Sequence, residues 1–321
     1  MIPICDDQDP GGARACTGYA GRLRRRYRPL VSSSVPVLPG RGQPQQQGAA
    51  LPSDMSEAEW AVIEPTLPAP GWTQGRGGRP ASRCRRDIVD AIRYLVKEGI
   101  CWRAMPADFP PWPTVYDYLD RWQACGATAA LHDDLRRQCR LAAGRAAEPT
   151  AAVIDSQSVK AAEEAARPSR GFDAAKKING RKRHIAVDVT GLLLTVLVTA
   201  ACVQDRDGAR PLLWNLARAF PAIRLTWADG GYAGKLVSWA SRALRRTLQI
   251  VRRPDDLHTF QVLPRRWVVE RTLAWITRCR RTVRDYERLP SHHETMVYWT
   301  MIILMGRRLA RHRQPALPRA T

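Results

Sequence analysis

Ala151-Ala152-Val153-Ile154-Asp155 is the stretch at which the chain changes its period. Ahead of residue 149 the apolar residues recur at helical spacing. From 149 onward they alternate, and Ala151, Val153 and Asp155 share one phase of a strand. A second strand is read over 183–190, Gly191 supplies a turn, and a third strand over 192–200 completes an antiparallel meander. A helix over about 209–219 follows, then a strand over 223–229 in which Ile223, Leu225, Trp227 and Asp229 share one face. Gly230-Gly231 stops that strand directly after the acid. A helix over about 234–246, a short strand over 248–252 and a loop through Pro264 lead to a last helix bearing Glu270.

The order β-β-β-α-β-α-β-α predicts an α/β fold of the ribonuclease-H-like kind over residues 149–310. Asp155 then sits on the first strand, Asp229 at the end of the fourth, and Glu270 on the helix. Glu270 is the only acid between Asp256 and Asp285. Its neighbours at helical spacing are Arg266, Trp267, Leu273 and Ala274, so the acid is expected on a largely apolar stripe facing the protein. Three converging carboxylates are what two divalent metals need to activate an attacking oxygen and stabilise a leaving one.

Upstream, residues 55–148 read as a small helical domain. Ser56-Glu57-Ala58-Glu59 is a capping box opening a helix with Trp60, Val62 and Ile63. A Gly/Arg-rich loop over 71–78 leads to a helix with Ile88, Val89, Ile92, Leu95 and Val96, ended by Gly99. A third helix begins near Thr114 and carries Val115, Tyr116, Leu119 and Trp122; a fourth covers roughly 127–146. The second and third, ringed by arginines, suggest a helix-turn-helix-like DNA-binding module, with a plain bundle as the alternative. Residues 1–54 are Gly-, Ser- and Gln-rich with a basic cluster over 22–28, a composition that buries no core. They read as a disordered basic leader, or as an extension upstream of a start at Met55. Residues 311–321 form a basic tail.

The chain holds 51 Lys plus Arg against 30 Asp plus Glu, a net charge of +21 and a pI near 10.5, which points to a phosphate-rich partner. The apolar run over 295–305 is shorter than the roughly 18 to 20 residues a bilayer span needs, and Asp6, Asp7 and Asp9 interrupt any signal-peptide pattern. A cytoplasmic location and no membrane partner are therefore expected. The eight cysteines show no C-x-x-C pair, so neither a disulfide framework nor a zinc site is indicated.

Several stretches together resemble the DDE transposases of bacterial insertion sequences, in the branch grouped as family five within the family four and five superfamily. They are Trp102-Arg103-Ala104-Met105-Pro106 with Asp108-Phe109-Pro110-Pro111-Trp112; Asp155-Ser156-Gln157-Ser158-Val159-Lys160; Gly180-Arg181-Lys182-Arg183-His184; Asp229-Gly230-Gly231-Tyr232; and Arg266-Trp267-Val268-Val269-Glu270-Arg271. The resemblance covers about residues 55–309. It implies that Asp155, Asp229 and Glu270 ligate a two-metal Mg²⁺ site, which Mn²⁺ can also fill, and that no covalent intermediate forms. It implies double-stranded DNA partners, namely the element's terminal inverted repeats and target DNA. A homo-oligomer on DNA and a place at the bacterial nucleoid follow too. Arg266 matches the arginine of the tyrosine-arginine-glutamate-lysine signature around the third acid, whereas Leu263 and Thr277 depart from it, with Arg278 one residue on. Arg266, Arg271 and Arg278 are accordingly expected at DNA.

Lys176, Lys177, Arg181, Lys182 and Arg183 either grip phosphates beside the site or form a solvated basic turn. Asp188, Asp205, Asp207 and Asp173 compete weakly for metal; Asp205 and Asp207 precede a helix, where capping is the ordinary role. His292-His293 is no metal pair, since adjacent residues seldom ligate one ion together. The expected function is metal-dependent cleavage and strand transfer. The alternatives are a nuclease without strand transfer and a transposase-derived DNA-binding regulator.

Overall fold

Alternation along the first strand is apolar in both phases, and the computed structural model shows the reason: helices cover both faces of one mixed sheet. The structure describes residues 51, 53–68, 83–251 and 267–313. The leader up to residue 50, the loop over 71–78, Arg266 and the tail beyond residue 313 lie outside the described residues.

The strands are β1 (Ala151–Lys160), β2 (Gly171–Asp173), β3 (Ile178–Asp188), β4 (Leu193–Ala200), β5 (Leu225–Ala228) and β6 (Thr247–Ile250). β1, β3 and β4 form the predicted antiparallel meander, with Asp155 opposite Ile185 and Ile185 opposite Val196. β5 pairs parallel to β1 on its other edge, and β6 pairs parallel to β5. β1 and β3 run longer than the pattern suggests, and β2, a three-residue strand on β3, carries no sequence signal.

The helices are α1 (Glu57–Ile63), α2 (Arg85–Glu98), α3 (Trp112–Ala124), α4 (Ala127–Ala142), α5 (Asp205–Ala219), α6 (Lys235–Leu244), α7 (Trp267–Ile276) and α8 (Pro290–Arg313). The Ser56 capping box forms in both directions, with Glu59 N donating to Ser56 Oγ at 3.2 Å and Ser56 N to Glu59 at 3.1 Å. Gly99 ends α2 in the left-handed region at φ 71°, and a Cβ there would lie 2.8 Å from Arg280 Cβ, so the position needs glycine twice over. Residues 99–111 separate α2 from α3, a long link for a helix-turn-helix.

One core joins α1–α4 to α7, α8 and the sheet face holding Val153, Ile185, Val187 and Trp227. The other joins α5 and α6 to Ala152, Ile154, Ala186 and Ala228. α8 is buried on nearly every side, with Trp299 fully enclosed and stacked on Trp122 at 6.2 Å. It packs on α1, α2, α3, α4, α7 and β4.

α5 comes so close to β3 that a Cβ on Gly208 would fall 2.2 Å from the His184 ring. Gly208→Ala is therefore expected to cost about 1–3 kcal/mol by overpacking. Urea denaturation checks this, and an unchanged midpoint would show that the helix yields without cost.

Candidate functional site

Asp155 extends the phase of Val153 along β1, on the face covered by α7 and α8, and is half-buried. The β1–β5 register pairs Val153 with Trp227. Carried on by two residues, that register would bring Asp155, midway along β1, level with Asp229, which directly follows the end of β5. Asp229 is half-buried and caps the 3-10 turn Gly230–Tyr232, accepting from Gly231 N at 2.8 Å. Asp155 accepts from the N–H of Ser156 at 2.7 Å.

Tyr232, 2% exposed, closes the floor of this region. Burial pushes its phenol well above the ordinary value, and the negative charges of Asp155, Asp205 and Asp229 push it further, while a hydrogen bond with Ser156 opposes them. Asp205 lies in the first turn of α5, but Gln204 is the N-cap and makes no side-chain cap bond, so the expected capping role does not hold. Asp205 instead takes the Lys182 ammonium at 2.8 Å. Burial alone would raise its carboxyl; the hydrogen bonds from Lys182 and Ser156 bring it below the usual range.

Glu270 corrects an expectation. The buried stripe of α7 is Val268, Val269, Thr272, Leu273 and Ile276, so Glu270 shares an exposed face with Trp267 and Ala274. Trp267 counts as apolar in the pattern, yet it is 41% exposed. α7 itself packs on β1 and β3. Thr272 Oγ1 donates to Gly191 O at 2.7 Å and Arg271 Nη2 to Thr190 O at 2.8 Å, which pins the helix to the β3–β4 turn. Among the described residues, no group of three or more His, Cys, Asp or Glu side chains is gathered closely enough to hold a metal ion. Asp155 lies midway along β1, Asp229 directly follows the end of β5, and Glu270 stands on α7, which packs on β1.

The basic stretch divides. Lys176 and Lys177 are exposed. Arg181, Lys182 and Arg183 are buried, which corrects the expectation that they grip phosphate. Arg181 is saturated by Asp285 at 2.7 Å, by Ser169 and by the carbonyls of Glu287 and Arg288. Lys182 bridges Asp205 and Asp173 and donates to Val203 O at 2.8 Å. Arg183 binds Gln157 and the carbonyl of Thr282, and its enclosure lowers its pKa to about 10. β3 is covered on both faces, so every charge on it is turned inward and has to be paired.

The competing acids have structural partners. Asp188 is fully buried, ion-paired with Arg140, and accepts from Thr190 and Leu192 N–H groups to shape the β3–β4 turn. Asp173 accepts from Ser158 at 2.5 Å and from the N–H of Lys176 at 3.1 Å. His292 meets Asp120 at 3.0 Å and His293 meets Asp285 at 3.3 Å, so the two point to different partners, as the sequence suggests. Among the described residues no helix is long and apolar enough to cross a membrane.

A family model described as "Transposase DDE domain" matches residues 146–305, which takes in β1 to α8, and one described as "Putative transposase of IS4/5 family" matches residues 55–132. The "Insertion element IS402 uncharacterized 16.2 kDa protein" of Burkholderia cepacia is 30% identical over 104 residues, 32% of this chain and 69% of that protein. The chain belongs to the IS4/5 family of transposases. The "Putative transposase for insertion sequence element IS402" of the same organism is 31% identical over 139 residues, 40% of this chain and 64% of its own length. No solved structure matches the chain. The family assignment agrees with the resemblance carried by the five sequence stretches. Tyr232 is given no role by the sequence, and Asp205 and Lys182, singled out there as a competing metal ligand and a phosphate contact, pair with each other instead. The spacing of Asp229-Gly230-Gly231-Tyr232 is the signal that marks the tyrosine.

Proposed function

We propose that the chain is a DDE transposase that cleaves DNA at its element's terminal repeats and transfers the freed strand into target DNA. The observation that supports this reading is the parallel β1–β5 register, Val153 opposite Trp227, which carried on by two residues would bring Asp155 level with Asp229. The sheet order, antiparallel β4-β3-β1 continued by parallel β1-β5-β6, supports a ribonuclease-H-like fold. The donor set is all carboxylate oxygen, with neither thiolate nor imidazole, which suits a hard divalent ion such as Mg²⁺, with Mn²⁺ as a substitute.

Asp155 and Asp229 are the residues that would hold the metal, and Glu270 would complete the site from the exposed face of α7. Bound there, a divalent ion supplies Lewis acidity toward a phosphodiester oxygen and a more acidic water. The protein's part is to fix the two carboxylates. The Gly231 N–H bond orients Asp229, and the Ser156 N–H bond orients Asp155.

Exposed Lys176 and Lys177, together with Arg271 and Arg278 on the α7 side and Arg266 outside the described residues, are proposed to contact DNA. The helices α1–α4 would recognise the element ends, two ends would be held by an oligomer, and the reaction would take place at the bacterial nucleoid. The test is labelled duplex carrying an element end, incubated with the protein and Mg²⁺ or Mn²⁺. Nicking at the element boundary that a chelator abolishes is expected; binding without nicking under any divalent ion would leave a DNA-binding regulator instead.

A further inference from the structure

A cavity of about 580 Å³ opens between α1, α2, α7 and α8, and its wall includes Lys97, Trp275, Arg278, Arg307 and Arg311. Ile303 and Leu304 lie against it. Trp275 carries two guanidiniums: Arg308 stands 4.2 Å from its ring centroid and Arg271 4.6 Å, while Arg271 also stands 4.3 Å from Trp267.

The electrostatics around Trp275 are unbalanced. Among the described residues, Arg278, Arg308 and Arg311 make no ion pair with any carboxylate. Burial lowers the Arg308 pKa, and the like charges of Arg271, Arg311 and Arg278 lower it further. The acid on the cavity wall, Glu59, is already committed to Arg93 at 2.8 Å and to Arg307 at 3.6 Å. Elsewhere the buried arginines of this chain are matched to acids or carbonyls. Here, guanidiniums that repel one another are held together by an indole ring, an arrangement that costs stability until an anion enters.

We propose that Arg308, stacked on Trp275, together with Arg278 and Arg311, which share the cavity wall with that ring, form a binding site for a backbone phosphodiester of DNA. The guanidinium fork matches phosphate oxygens, and three forks, one from the turn after α7 and two from α8, bind an extended backbone better than a single small anion. The site rests on the DNA-acting reading given above. It enlarges the contact surface from α7 onto the last turns of α8, which places the strand beside the helix that carries Glu270.

Duplex binding by the full chain at a series of salt concentrations tests the site, comparing the wild type with Arg278→Gln/Arg308→Gln/Arg311→Gln. Each lost phosphate contact flattens the slope of log K against log salt by about 0.9, so a fall of roughly two to three is expected. Arg311 is exposed. Arg311→Gln alone, which leaves the fold untouched, should flatten the slope by about 0.9. An unchanged slope in both variants, with wild-type binding intact, overturns the site and leaves the transposase reading standing. A wild type that binds no DNA overturns that reading as well. If inorganic phosphate raises the wild-type melting temperature while the DNA slope is the same in all three proteins, the cluster is a free-phosphate site and the proposal fails.

Discussion

Asp155→Asn is expected to lower DNA cleavage by about a thousandfold or more while leaving DNA binding within about twofold. Losing one ligand of a divalent ion forfeits several kcal/mol of charge stabilisation, and about 4 kcal/mol corresponds to a thousandfold. Asn keeps the volume and can still accept from the N–H of Ser156, so β1 and its register with β5 should survive. The two readouts separate the roles. Loss of cleavage with retained binding assigns Asp155 to the chemistry. Retained cleavage removes it, and a parallel fall in both would mean that β1 had been disturbed.

The second large effect concerns stability. Arg181→Ala should destabilise the fold by about 3–5 kcal/mol, because it strips a fully buried carboxylate of its ion-pair partner. Arg181 ties β3 to Asp285 and to the carbonyls of Glu287 and Arg288, and so joins the sheet to the segment that leads into α8. His293, 3.3 Å from Asp285, and the Glu287 N–H, at 2.8 Å, remain but do not replace the buried guanidinium. Urea denaturation gives the number. A phosphate-gripping Arg181 would give the opposite signature, a stability loss within about 0.5 kcal/mol and a weaker hold on DNA.

Both residues come from stretches that the sequence marks, yet only the placement of Asp155 on its strand was legible. Asp155 and Asp229 were legible because strand alternation sets the phase of each acid and Gly230-Gly231 marks where the strand stops. Two parallel neighbours then fix their adjacency. The meander was legible for the same reason, with only the ends of β1 and β3 falling short. Arg181, Lys182 and Arg183 were misleading, because a run of charges normally lies in solvent. Their burial depends on helices and loops far along the chain covering β3, and no local pattern reports that.

Glu270 failed in the opposite direction. The spacing of Trp267 and Leu273 suggests an inward stripe, but the core takes Val268, Val269, Thr272 and Ile276, which rotates the acid outward. α8 left no amphipathic trace because it is buried on nearly all sides, and a helix in that position has no polar face to give its period. The tight approach at Gly208 and the arginine cluster on Trp275 likewise arise only when α5 meets β3 and α8 meets α7.

The most direct test of the central claim is strand joining. Labelled duplex carrying the element end is incubated with unlabelled target DNA and Mg²⁺, using the wild type and Asp229→Ala. Joined product is expected with the wild type and none with the variant, at equal binding of the end. Joined product at the same level with Asp229→Ala would contradict the pairing of Asp155 and Asp229 as the catalytic centre.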